Sequence, residues 1–298
     1  MARYTRDVDG ILLLDKPRGM SSNHALQAAR RLLSARKAGH TGSLDPLASG
    51  LLPLCFGEAT KLSQFLLDAD KGYWAVFRLG VSTDTYDADG AVTATRPVNV
   101  TAAEVERALG AFRGAIEQLP PMYSAVKIGG QPLYKLARAG ETAERALRPV
   151  VVRRFELLDL RGDRLEVAID CSKGTYVRTL AHDLGEVLGC GAHVAELRRV
   201  ASGGFRIEQA VTLEALEALP DPAAREALLI PSDRAVAQLP PVELSANAAY
   251  YLCQGQAVTA GAGLAPGWVR LYEAGGRFLG LGQVLSDGRV TPKRLVRT

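Results

Sequence analysis

The chain has 298 residues, of which 47% are apolar and 23% charged, and its formal charge is +4. This length is a soft prior for about two domains, and so much apolar material can bury a sizeable core, which argues against intrinsic disorder. The longest apolar runs, such as Ile11 to Leu14, fall far short of a bilayer's thickness, and the opening MARYTRDVDG lacks the apolar stretch of a secretory signal, so a cytoplasmic protein is expected.

In chain order, ILLLDKPRGMSS reads as a short apolar strand and a Pro-Gly turn, with Ser21, Ser22 or Asn23 able to cap a helix running to about Ala35. Leu26, Ala29 and Leu33 share one face of that helix, and Arg30, Arg31 and Arg36 lie largely off it. GHTGSLDPLASG, Gly39 to Gly50, follows as a glycine-rich loop. GYWAVFRLG alternates, which places Tyr73, Ala75, Phe77 and Leu79 on one side of a strand. VSTDTYDADG is polar and turn-rich. Thr101 and Glu104 fit a capping box ahead of a helical stripe of Val105, Ala108, Leu109 and Phe112. From about Leu119 to Arg148 the pattern breaks: prolines at both ends, a Gly-Gly turn and two tyrosines suggest a projecting arm with a short helix near Tyr134 to Ala139. From Lys127 to Arg154 stand seven basic residues against Glu141 and Glu144, a local excess larger than the charge of the whole chain; a merely solvated basic loop would look the same.

Strands are expected at Val150 to Leu158 and Leu165 to Cys171. GTYVRTLAHDLGEVL reads as an amphipathic helix with Val177, Leu180, Ala181, Leu184 and Leu188 on one face. Helices follow near Leu213 and Ala223. Pro240-Pro241 marks a boundary, after which many glycines and the short strands WVRLY and RFLGLGQVL indicate a small β-rich domain. The four cysteines, Cys55, Cys171, Cys190 and Cys253, show no CxxC spacing and are expected to be reduced, partly buried thiols. His182, Cys190 and His193 could be drawn as three metal ligands, but a fourth is missing.

The loop holding Asp45 carries the clearest chemical signal. Its glycines permit close backbone approach, and Pro46 pushes Asp45 out of the helical region, so the carboxylate is presented from a stiff loop. An ordinary Asp-Pro turn is the competing reading. GHTG lacks the second histidine of an HxGH motif, and neither a P-loop nor a dinucleotide fingerprint occurs in a strand-to-helix context. Tyr176 and Arg178 open the amphipathic helix; Arg178 follows the core residue Val177 and is read as pointing away from the core. An arginine there could keep Asp45 ionised or hold a phosphate, and a plain surface arginine would fit as well. Tyr73 is either core or a platform for a base. His40 is more often a turn residue than a catalytic one.

The stretches DKPRGMSS, AGHTGSLDPLASGLLPLCFGEATKLSQFLLDADKGYWAVFRLG, TDTYDADG, PPMYSAVKIGGQPLYKLARAG and CSKGTYVRTLAHDLG, in this order over nearly the whole chain, closely resemble the TruB family of pseudouridine synthases, which modify uridine 55 of tRNA. The resemblance implies an α+β (mixed α/β) fold. A catalytic domain over residues 1–239 would have a mixed, mainly antiparallel sheet flanked by helices, with a thumb-like RNA-binding insertion at about 119–148. A small β-rich PUA-like domain would occupy 240–298. It further implies isomerisation of one uridine in the TΨC loop, with Asp45 as the catalytic group, Tyr73 stacking on the target base, and His40, Tyr176 and Leu197 lining the nucleotide pocket. Arg178 would pair with the aspartate, and Lys16 would lie in a motif beside the site. Lys61, Lys127, Lys135 and Arg138 are weaker RNA-binding candidates. The implied partner is tRNA, gripped at the T arm and, through the C-terminal domain, at the acceptor end; no cofactor, no metal and no membrane are implied, and a monomer is expected. The alternatives are an RNA-binding or RNA-folding module without catalysis, and a metal-dependent hydrolase built on His182, Cys190 and His193.

Overall fold

The run Ile11–Leu14 has no polar residue in its alternation, and such a strand is favoured only when both of its faces are covered. The computed structural model, which describes residues 6–261 and 263–297, covers both. In strand Gly10–Lys16, Leu12 and Leu14 enter one apolar cluster and Ile11 and Leu13 enter another on the opposite face. The adjacent strand Ser49–Phe56 divides the same way, with Leu52 and Leu54 on the first face and Leu51 and Cys55 on the second. Alternation with period two thus survives inside runs that read as uniformly apolar.

These strands belong to a ten-stranded mixed sheet. Its main path runs Val211–Thr212, Gly10–Lys16, Ser49–Phe56, Ala192–Ser202, Lys71–Leu79, Arg164–Cys171, Arg148–Arg161 and Gly114–Gln118. Two short strands, Ala38–His40 and Phe205–Arg206, pair at its sides. Only the contacts of Gly10–Lys16 with Val211–Thr212 and of Ser49–Phe56 with Ala192–Ser202 are parallel. The first face is covered by helices Ser22–Leu32, Ala102–Gly110 and Val177–Val187, whose buried residues join Phe77, Phe155 and Ile169 of the sheet. The second carries the helical turns Gly57–Leu62, Ser63–Asp68 and Ser232–Val236.

The first helix ends at Leu32, three residues before the expected Ala35. Ser34 takes a positive φ of 51°, and Arg30 donates to the Ala35 and Arg36 carbonyls, so the chain turns back at once. Ser21 is its cap, and the Thr101–Glu104 capping box forms as expected. The strand expected at Val150 to Leu158 extends in both directions, with two register shifts. The arm carries its own hairpin, Lys127–Ile128 with Gln131–Pro132, and the short helix Leu133–Arg138.

Beyond Pro240, the strands Pro241–Leu244, Gly267–Glu273, Phe278–Val284, Arg289–Leu295 and Val258–Thr259 form a five-stranded sheet with helix Ala246–Cys253 and their own core. Leu281 packs into the second-face cluster of the large sheet, Trp268 meets Phe65 edge-on at 5.5 Å, and the Tyr272 hydroxyl donates to Asp233 at 2.7 Å. Three cysteines are buried, but Cys253 is exposed, against the expectation of partial burial for all four. No helix among the described residues is long and apolar enough to cross a membrane.

Gly50 begins the buried part of its strand at φ 101°, with the Arg199 backbone pressed against it; a Cβ there would overlap the Arg199 amide nitrogen and carbonyl oxygen. Backbone cannot yield as a flexible side-chain tip can. Gly50→Ala is therefore expected to lower unfolding free energy by about 3 kcal/mol or more, read as a lower urea midpoint at unchanged m-value.

Candidate active site

The loop from Thr41 to Ala48 connects the edge strand Ala38–His40 to the central strand Ser49–Phe56. Hydrogen bonds along its length hold it in place. Thr41 Oγ1 donates to the Pro53 carbonyl, the Leu44 amide donates to Ser22 Oγ, and the Ala48 amide donates to the Asp45 carbonyl in a turn. These bonds leave the Asp45 side chain 45% exposed, projecting into a cavity of about 350 Å³.

Tyr73, Leu197 and Arg199 line that cavity from the sheet, and Tyr176, Val177 and Arg178 from the start of a helix. Lys71 and Leu67 lie at one side, and Ser124 and Ala125, at the base of the arm, at another. Tyr73 is half-buried on the helix-covered face, next to the first apolar cluster, and burial raises its phenol above the usual tyrosine value. The Tyr176 backbone is clamped by Gln118, which donates to its carbonyl at 3.2 Å and accepts from its amide at 3.0 Å. That clamp explains why the helix starts at Val177 and not at Gly174.

Arg178 does not point away from the core as its sequence position suggested. It is 5% exposed, and every part of its guanidinium is engaged. Nε meets Asp45 Oδ2 at 3.0 Å; one terminal nitrogen reaches the Thr85 carbonyl at 3.0 Å and Asp87 Oδ2 at 3.4 Å; the other donates to the Tyr123 carbonyl at 2.8 Å. All three of its nitrogens are bound within the protein and it is almost fully buried, so it is not presented to the surface as a phosphate-binding arginine would be. Asp87 was not singled out in the sequence: it sat among the polar turn residues of VSTDTYDADG, and nothing in its spacing revealed that it is almost fully buried. Gln118, Lys71 and Arg199 were missed in the same way, since each is polar in a strand or at its end and is buried by tertiary packing alone.

Three other expectations change. His40 is held in its edge strand opposite Leu54 and is not among the residues lining the cavity; burial, reinforced by the positive Arg199, keeps its imidazole below the ordinary histidine value. Lys16 is 0% exposed, donates to the Pro17 and Met20 carbonyls, and is brought down to about 8 by burial, so it cannot reach an RNA surface directly. Lys61 is half-buried between the two sheets, bonded to Glu58 and to the Leu295 carbonyl. Lys127, Lys135 and Arg138 are exposed on the arm. The candidate metal ligands are dispersed: His182 stacks on Tyr86 at 3.9 Å, His193 bonds the Val81 carbonyl, and no cluster of metal-ligating residues occurs among the described residues.

The carboxyl of Asp45 stands above its ordinary value. The surrounding pocket wall desolvates it although the cavity leaves it open, and Asp87 adds repulsion; Arg178 and Lys16 pull the other way. The site thus offers one accessible carboxylate, an arginine that favours its ionised form, and an aromatic ring across a cavity of ligand-pocket size.

Comparison with known proteins identifies the family of the chain. The TruB family pseudouridylate synthase N-terminal domain matches residues 30–177, the tRNA pseudouridylate synthase B C-terminal domain matches 178–237, and the pseudouridine synthase II TruB C-terminal region matches 240–296. A tRNA pseudouridine synthase B of Pseudomonas aeruginosa is 56% identical over 99% of this chain and 98% of its own length. The chain belongs to the TruB family of pseudouridine synthases. A second such synthase, from Aromatoleum aromaticum, is 59% identical over 98% of the chain and 94% of its own length. Among solved structures, that of a Cbf5-Nop10-Gar1 complex matches with a TM-score of 0.74 at 28% identity, over 97% of this chain and 84% of the other. An archaeal Nop10-Cbf5 complex matches at 0.72 and 25%, over 97% and 86%. The TruB-family fold therefore includes both the large mixed sheet and the β-rich C-terminal part.

The raised carboxyl of Asp45 has a consequence for stability. The folded state holds this proton more tightly than the unfolded chain, so the group's contribution to stability is full below the unfolded carboxylate range and is lost as pH rises through the higher folded value. Asp45→Asn cannot ionise and is expected to melt at a higher temperature than the parent at neutral pH, with the gap closing on acidification. Arg178→Met should do the opposite, because it leaves the buried Asp87 without its cation; a loss of about 3 kcal/mol or more in a denaturant titration is expected.

Proposed function

We propose that this chain isomerises uridine 55 in the TΨC loop of tRNA to pseudouridine, with Asp45 as the catalytic group and no cofactor. The observation that carries this reading is the accessible Asp45 carboxylate, held by the buried Arg178 in a cavity of about 350 Å³ that Tyr73 also lines. The tRNA substrate is supported by the names of the curated relatives, tRNA pseudouridine synthase B.

The reaction breaks the N1–C1′ bond and joins C5 to C1′; the hydrogen on C5 leaves as a proton and N1 gains one, so the formula is unchanged. A base inside a folded RNA loop has to be extruded first, at a cost of a few kcal/mol. Stacking on the Tyr73 ring would return about 1–3 kcal/mol. Tyr176 and Leu197 complete the apolar walls. Asp45 could then attack C1′ or C6, or remove the C2′ proton. All three routes start from the ionised carboxylate, so activity should fall as pH drops through the raised value of Asp45, and Arg178 extends the active range downward by opposing that rise. The stiff loop contributes by holding one oxygen at attack distance from one carbon.

The arm, with Lys127, Lys135 and Arg138 exposed, would grip the T arm through phosphates, and the C-terminal domain would meet the acceptor end. A reading as a binding or folding module without catalysis leaves the open Asp45 carboxylate unexplained.

A T-arm stem-loop carrying tritium at uridine C5 tests the proposal. The protein should release tritium to water in amounts matching the RNA, and Asp45→Asn should release none while binding the RNA about as tightly. Tight binding by the parent protein with no release would reject the enzyme reading. In the same assay format, replacing Lys127, Lys135 and Arg138 with Gln is expected to flatten the plot of log affinity against log salt by roughly 0.7–0.9 for each phosphate no longer neutralised, without abolishing turnover.

A further inference from the structure

The cavity contains a second buried guanidinium, that of Arg199, for which the mechanism above has no role. Arg199 is 1% exposed, the largest fully buried side chain among the described residues. It forms no ion pair among the described residues. An unpaired charge withdrawn from water is costly, and a purely packing role would be filled better by an apolar side chain. Its hydrogen bonds show where the cost is offset. Nε donates to the Leu51 carbonyl at 2.7 Å, and a terminal nitrogen donates to the Gly42 carbonyl at 3.1 Å. Tyr73 lies directly across the ladder from Arg199, and the guanidinium is near enough to the phenol to oppose the rise that burial causes.

These two acceptors and Tyr73 belong to three different parts of the site. Leu51 lies on the strand that follows the Asp45 loop, Gly42 lies in that loop itself, and Tyr73 lines the same cavity as the carboxylate. Gly42 adopts φ 108°, a conformation open to glycine, in a place where the Arg199 and Lys71 side chains are its nearest neighbours. A planar fork presents donors on separate nitrogens in fixed directions, whereas an ammonium must reach all its acceptors from one nitrogen.

We propose that Arg199 is a positioning residue of the reaction, one that fixes the Tyr73 ring relative to the catalytic loop by bridging the Tyr73 hydroxyl to the Gly42 carbonyl. The two arginines thereby divide the work: Arg178 holds the charge of Asp45, and Arg199 sets the distance between the base platform and the loop that carries the acid. The proposal rests on the reading of this pocket as a uridine isomerase. It implies that the Tyr73 hydroxyl matters through Arg199, and that Arg199 matters through that hydroxyl.

The test is a double-mutant cycle on turnover and KM in the C5-tritium assay, using Arg199→Met, Tyr73→Phe and the pair. Arg199→Lys serves as a second variant that keeps the charge, and melting temperatures show that each protein is folded. Arg199→Met is expected to lower kcat by about 100-fold, as a displacement of about 1 Å can, with KM within about threefold of the parent. In the Tyr73→Phe background the same change should cost less than about fivefold, because the bond is already gone. Arg199→Lys should behave like Arg199→Met. If the two single effects multiply in the pair, or if RNA affinity falls in step with kcat, or if Arg199→Lys is fully active, the positioning role is wrong. Failure of the parent protein to release tritium would instead reject the isomerase reading, so the two failures are distinguishable.

Discussion

The Arg178 guanidinium ties together segments that lie far apart in the chain. It comes from the first turn of the helix Val177–Val187, and it binds the Asp45 carboxylate, Asp87, the Thr85 carbonyl and the Tyr123 carbonyl. Burial makes each of these interactions strong and makes the removal of any one expensive. Asp87 neutralises the arginine where no water reaches, so that Asp45, the one carboxylate of the pair that is open to the cavity, is not alone responsible for its charge. The Tyr123 hydrogen bond extends the same network to the base of the arm. The Asp45 loop, the polar turn after Thr83 and the base of the arm therefore share one cation.

The sheet makes this convergence possible. Strand Lys71–Leu79 carries Tyr73 beside Ala192–Ser202, which carries Leu197 and Arg199, and the latter strand runs parallel to the start of Ser49–Phe56, which leads out of the Asp45 loop. The cavity lies where these strands end and the helix Val177–Val187 begins. Apolar clusters on both faces hold the strands rigid, and the C-terminal sheet adds Leu281 to one of them. The proposed chemistry, in which one oxygen meets one carbon, would rely on such a frame.

Much of this was legible in the sequence because it is local. The alternation of Tyr73, Ala75, Phe77 and Leu79, the stripe of Val177, Leu180, Ala181 and Leu184, and the Thr101–Glu104 cap are short-range patterns, and the structure holds them all. The stiffness of the Asp45 loop followed from its glycines and proline. The failures are equally physical. Arg178 looked exposed because helix periodicity reports only which face meets the sheet, and the arm and the Thr83–Asp87 turn cover its other side. Lys16 looked like a surface cation because nothing in DKPRGMSS announces that two backbone carbonyls would take its ammonium. Asp87, Gln118 and Arg199 are polar residues whose partners lie far away in the chain, 58 positions for Gln118 and 148 for Arg199, a span that no window on the sequence contains. His40 belonged to the most informative segment of the chain and lies in the edge strand opposite Leu54.

A crystal structure with a T-arm stem-loop carrying 5-fluorouridine at the target position tests the central claim most directly, since a fluorine on C5 cannot leave as the proton does. The account predicts the modified nucleotide turned out of the RNA loop, its base against the Tyr73 ring and its sugar within reach of the Asp45 carboxylate, with Arg178 still holding Asp45 and Asp87. A nucleotide left stacked within the RNA, or one bound where Asp45 cannot reach either its ring or its sugar, would contradict it.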